Sequence, residues 1–171
     1  MDAVRIASLA ELVCKYARRR LDFEPLGREA CSQAIMARLG PRDFVLAFHH
    51  MLRLNLVEIR DDGLEFTSIG ARYADLLLEL SSILRSEVGW GVEAVAAALN
   101  ALTDWNATFK KGEEMVEYAE TLIGELRRLE SEAPGAYRWA VSLLVRYDFK
   151  SMEGPVELVR KIEELCLEGR G

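Results

Sequence analysis

The stretch that most constrains this chain runs from Pro41 to Tyr73, where the hydrophobic period changes twice. Phe44, Val45, Phe48, Met51 and Leu52 recur at helical spacing and gather on one side of a helix from Pro41 to about Leu54. Leu56-Val57-Glu58-Ile59-Arg60 then alternates at period two. Asp61-Asp62-Gly63 supplies tight-turn chemistry, and Leu64-Glu65-Phe66-Thr67 alternates again. A helix cannot run on through a period-two pattern without turning half its apolar residues to water. The spacing therefore predicts a helix, a left-handed cap at Asn55, a short β-hairpin, and a new helix capped by Thr67 or Ser68. That fourth helix carries Ile69, Tyr73, Leu76, Leu77, Leu80, Ile83 and Leu84 as its core stripe.

The remainder reads as helix. A first helix spans about Asp2 to Arg20, with Ile6, Leu9, Ala10, Val13, Tyr16 and Ala17 on one face and Arg18-Arg19-Arg20 at its negative end. Leu21 to Leu26, with Pro25, is a connector, and a second helix from about Gly27 to Leu39 stops at Gly40-Pro41. Gly89-Trp90-Gly91 ends the fourth helix. Val92, Val95, Leu99, Leu102 and Phe109 stripe a fifth, backed by Ala94, Ala97, Ala98 and Ala101. Met115, Ala119, Leu122, Leu126 and Leu129 stripe a sixth, led by Glu113 and Glu114 and ended by Arg127-Arg128, with a turn from Ser131 to Gly135. A seventh holds Trp139, Leu143, Leu144 and Tyr147, and Gly154-Pro155 opens a last one with Val156, Val159, Ile162 and Leu165. The expected fold is mainly α, with one short hairpin in residues 1–70 and an all-helical bundle in residues 71–171.

Composition narrows the classes. The chain has 171 residues, half apolar and 29% charged, which is ordinary globular usage. No apolar run reaches the roughly 18 residues of a membrane span, and with Asp2 and Glu11 near the N-terminus no export signal is expected. Cys14, Cys31 and Cys166 are odd in number, far apart and free of any CxxC pair. They read as free thiols of a cytoplasmic protein, without disulfide or zinc. Amides are scarce, a trend of thermophile proteins, and Arg far outnumbers Lys, although the base composition of the genome would produce the same skew. The net charge of −6 argues against indiscriminate coating of nucleic acid. It is unevenly placed, because residues 1–70 balance to zero and residues 71–171 carry all of it. No P-loop, GxGxxG, GxSxG or HExxH is present, so neither catalysis nor a cofactor is expected.

The order helix, cap, hairpin, Thr-x-x-Gly, helix is carried by three stretches: Met51-Leu52-Arg53-Leu54-Asn55-Leu56-Val57-Glu58-Ile59, then Asp62-Gly63-Leu64-Glu65-Phe66-Thr67, then Gly70, Arg72 and Tyr73. It resembles the second half of a winged helix-turn-helix domain of the PadR-like, MarR-like or archaeal regulator type. The likeness is confined to the N-terminal part. One departure is that the turn from Leu39 to Phe44 is a little shorter than the family's usual one. On the third helix Arg42, Leu46, His49 and Arg53 stand at i, i+4, i+7 and i+11, with His50 at the edge of the stripe. The resemblance implies that this face enters the major groove of double-stranded DNA, where arginine pairs with guanine, and that Arg18, Arg19 and Arg20 touch phosphates.

Other features pull differently. Leu46 in mid-stripe and the carboxylates of Asp61 and Asp62 at the wing tip suit a protein partner better than a phosphate backbone. His49 and His50 point about 100° apart on a helix, so they do not jointly ligate one metal ion. Glu113, Glu117 and Glu120 read as a solvated face, and Lys110-Lys111 as helix-terminal charge. Leu78 lies off the stripe of the fourth helix, which asks for a second neighbour from its own chain or from a twin. The expectation is a dimeric, DNA-binding transcriptional regulator with helical C-terminal dimerisation. The alternative is a non-catalytic assembly subunit that uses the winged helix to hold a protein.

Overall fold

The computed structural model describes residues 3–17, 28–61, 63–89, 91–103, 109–146 and 154–168. Within them the chain is mainly helical, with one two-stranded antiparallel sheet. The order is α1 (Ala3–Ala17), α2 (Arg28–Leu39), α3 (Pro41–Arg53), β1 (Val57–Arg60), β2 (Gly63–Phe66), α4 (Ser68–Val88), α5 (Gly91–Thr103), α6 (Gly112–Glu132), α7 (Pro134–Arg146) and α8 (Pro155–Glu168). Arg18 to Arg20, the connector from Leu21 to Leu26, Asp62, Trp90 and Tyr147 lie outside the described residues, as do the side chains of Ile6 and Phe44.

In α1, Leu9, Ala10, Val13, Cys14 and Ala17 are buried, the spacing of one helical face. It packs on α2, α3, α4 and β2. Here one expectation fails. Cys14 and Cys31 are not free thiols; they form a disulfide between α1 and α2, with Cα atoms 6.2 Å apart. Seventeen residues of sequence separation say nothing about distance in space, because the chain doubles back and brings the two helix faces together. Cys166 is the free cysteine among the described residues.

The passage from α3 to α4 is a knot of backbone contacts. Asn55 takes a left-handed φ of 58°. Its N–H donates to the Leu52 carbonyl and that of Leu56 to the Met51 carbonyl, so the last carbonyls of α3 are satisfied. The strands pair Val57 with Phe66, Glu58 with Glu65, Ile59 with Leu64 and Arg60 with Gly63. Gly63, at a φ of 129°, is already the first paired residue of β2 and not part of the turn. Thr67 closes the knot. Its hydroxyl donates to the Asn55 carbonyl at 2.6 Å and accepts the Gly70 N–H at 3.0 Å, capping α4.

The core is continuous from α1 to α8. At its centre is α5, where every residue from Val92 to Leu102 except Glu93 and Asn100 is buried. It packs against α2, α3, α4 and α7, and its alanines let α4 approach closely. Leu78 of α4 is buried against its own chain, so no twin is needed to cover it.

Two further expectations, on Phe109 and on Arg127-Arg128, are corrected. Phe109 is not helical and does not belong to the stripe of α5; it stacks at a tilt on Tyr118 of α6, ring centroids 5.4 Å apart. Arg127 and Arg128 do not end α6, which runs on to Glu132. Arg127 instead pairs with Glu79 of α4, and Arg128 with Glu125, Glu132 and Glu163, clasping α8. Trp139 is 43% exposed, because the buried face of α7 is centred on Ala136, Ala140, Val141 and Leu144. Among the described residues no helix is long and apolar enough to cross a membrane.

Candidate nucleic-acid interface

The α3 helix is anchored by its inner face. Ala47, Phe48 and Met51 are buried, and Pro41 at its first position supplies a preset φ where no amide bond is lost. Arg42, Leu46, His49 and Arg53 are consequently exposed on the opposite side, Leu46 at 39%. The four fall on one outward stripe about 16 Å long at the helical rise. The structure thus brings together the residues singled out on this helix.

Their electrostatics are weaker than the sequence suggests. The Arg53 guanidinium donates to the Phe109 carbonyl at 2.6 Å, which ties it to the segment leading into α6. His50 is half-buried, and this burial, together with the positive charge of Arg53 and the neighbouring His49, holds its pKa below the ordinary histidine value. Near neutral pH it is therefore an uncharged ring. The sign of the linkage follows: between the folded-state midpoint and 6.5 the unfolded chain binds the proton more readily, so acidification through that window destabilises the fold. A histidine-detected NMR titration, assigned with His50→Asn, is expected to give His50 a midpoint under 6.5. A midpoint above it would contradict the buried geometry.

The hairpin beside α3 is not cationic. Glu58 and Glu65 face each other across the strands, a repulsive pairing that Arg60 relieves by contacting both, at 2.7 Å and 3.3 Å. Arg60 is thereby occupied within the hairpin, and Asp61 is exposed at the end of β1. On the inner side Phe66 meets Tyr16 of α1 edge-on, centroids 4.8 Å apart. Further out the hairpin stands away from α1 and leaves a cleft of about 570 Å³ lined by Leu12, Tyr16, Leu64 and Phe66 with Lys15 and Asp61. Ile59 of β1 is 50% exposed.

No family model, curated protein or solved structure matches this chain. The reading of the α3 face therefore rests on its own geometry and charge. Sequence reasoning missed the tie between Arg53 and Phe109, and with it the nearness of Lys110 and Lys111 to α3. The only local signal was the pair of lysines itself, which spacing alone could not attach to a helix more than fifty residues away.

Proposed function

We propose that this protein is a non-catalytic, DNA-binding regulator whose first seventy residues work as a winged-helix module, with α3 presented to the major groove. The observation that carries the reading is the exposed stripe of Arg42, Leu46, His49 and Arg53 on a helix whose other face is locked into the core beside a hairpin. The uneven charge supports it, because the negative excess lies wholly in residues 71–171. We further propose a homodimer joined through the C-terminal helices. The exposure of Trp139, Leu165 and Leu167 supports this, whereas Leu78, covered by its own chain, does not. A cytoplasmic location follows from the DNA reading rather than from the cysteines. A buried disulfide in a cytosolic protein suits a thermophilic source, as does the scarcity of amides.

Mobility-shift assays on fragments of the source genome at about 50 mM salt, where phosphate contacts are strongest, test the reading. Retardation is expected, weakened roughly tenfold or more by Arg42→Ala, since a paired arginine–guanine contact contributes about 1–3 kcal/mol. Absence of any shift at this salt would overturn it. The second reading, a protein-holding subunit, is favoured by Leu46 at the centre of the stripe and by the acidic wing. It expects a defined partner to co-purify with the wild type and to be absent after Leu46→Glu.

A further inference from the structure

The geometry points to Lys110 and Lys111 as a phosphate-contacting extension of the α3 face, taking over the role for which the wing is too acidic. This rests on the DNA reading above and specifies where the backbone of the duplex is gripped.

Position comes first. The segment carrying the two lysines lies against the C-terminal end of α3. The Phe109 carbonyl accepts from Arg53 at 2.6 Å, and a Cβ placed on Gly112 would stand 2.5 Å from the Leu54 carbonyl oxygen. Both lysines are exposed, and among the described residues neither makes an ion pair. They therefore continue the Arg42-to-Arg53 stripe past the end of its helix.

Local stability does not account for them. Helix-terminal charge would suit a basic pair in the last turn of a helix, but Phe109, Lys110 and Lys111 are themselves not helical. Lys110 and Lys111 stand instead immediately before α6, at the positive end of its dipole, where cations are unfavourable. Glu113 and Glu114 in the first turn supply the favourable charge. Lys111, at the cap position, makes no capping bond with its side chain. Of the nearby carboxylates, Glu114 accepts the Lys110 backbone N–H at 3.2 Å and lines the cleft toward α8 with Tyr118 and Glu157, while Glu113 is exposed beside Lys111. Two cations kept at an electrostatic cost, next to a cationic stripe, fit an anionic polymer crossing both elements.

The test is fluorescence anisotropy of a labelled mixed-sequence DNA duplex with the full chain, titrated at several salt concentrations between about 50 and 200 mM. Lys110→Ala/Lys111→Ala is expected to bind roughly tenfold more weakly at the low end. Its salt slope should be smaller by about two, one for each phosphate that a lysine had neutralised. Its melting temperature should equal or exceed that of the wild type, since an unfavourable dipole interaction is removed. Glu114→Gln should leave the slope unchanged. If the wild type binds and the double variant keeps both affinity and slope, this inference falls while the DNA reading stands. If the wild type fails to bind at low salt, both fall.

Discussion

Replacing Gly70 with alanine is expected to destabilise the protein by about 3 kcal/mol or more, lowering its melting temperature by roughly 6–12 °C for a chain of this size. A Cβ at this position would lie 1.6 Å from the Leu56 carbonyl oxygen and 2.6 Å from its carbon. The obstacle is backbone, not the end of a flexible side chain. That same carbonyl accepts the Thr67 N–H at 3.0 Å and lies 3.3 Å from the Thr67 hydroxyl. It cannot retreat without undoing the cap of α4 and the start of the hairpin together. Gly124→Ala is the control. It sits in α6 with nothing within 4 Å of a new Cβ, so alanine there should stabilise by about 0.5–1 kcal/mol through helix propensity alone. Thermal unfolding followed by circular dichroism distinguishes the two. Equal melting temperatures for Gly70→Ala and wild type would mean that α4 does not rest on the Leu56 backbone.

The second large effect belongs to the disulfide. Cross-linking residues separated by 17 positions removes enough freedom from the unfolded chain to contribute about 3 kcal/mol. Cys14→Ser, or reduction of the wild type, should therefore lower the melting temperature about as far as the Gly70 variant. Both sulfurs belong to residues only 1% exposed, so reductant should act slowly on the folded protein and readily once it is unfolded. Thiol titration in denaturant without reductant is the decisive measurement. With three cysteines in the chain and the bridge formed, one thiol should react; three reacting thiols would show that the bridge is not there.

The hairpin was legible because every cue for it is local. Asn55 as a left-handed cap, the switch to period two, and Thr67 three residues before Gly70 all act within one turn of chain, and all appear in the structure. The outward face of α3 was legible for the same reason, helical period being a local property. What sequence could not supply were facts set by tertiary approach. The pairing of Cys14 with Cys31 depends on how two helices dock. The tie from Arg53 to Phe109 spans 56 positions. On α7 the small Ala136 and Ala140, and not the large Trp139, define the buried face. Arg127 and Arg128 suggest a nearby helix end, although their partners Glu79 and Glu163 lie 48 and 35 residues away.

The alanine-rich core of α5 has a mechanical consequence. Ala94, Ala96, Ala97, Ala98 and Ala101 have no rotatable side chain with which to absorb a displacement, and they sit among α2, α3, α4 and α7 with no exposed flank. At these positions α5 therefore offers its neighbours a close-packed surface of methyl groups that cannot change rotamer. Lengthening a single one of those methyl groups would have to be met by moving a whole helix, since no neighbouring side chain there has room to turn aside.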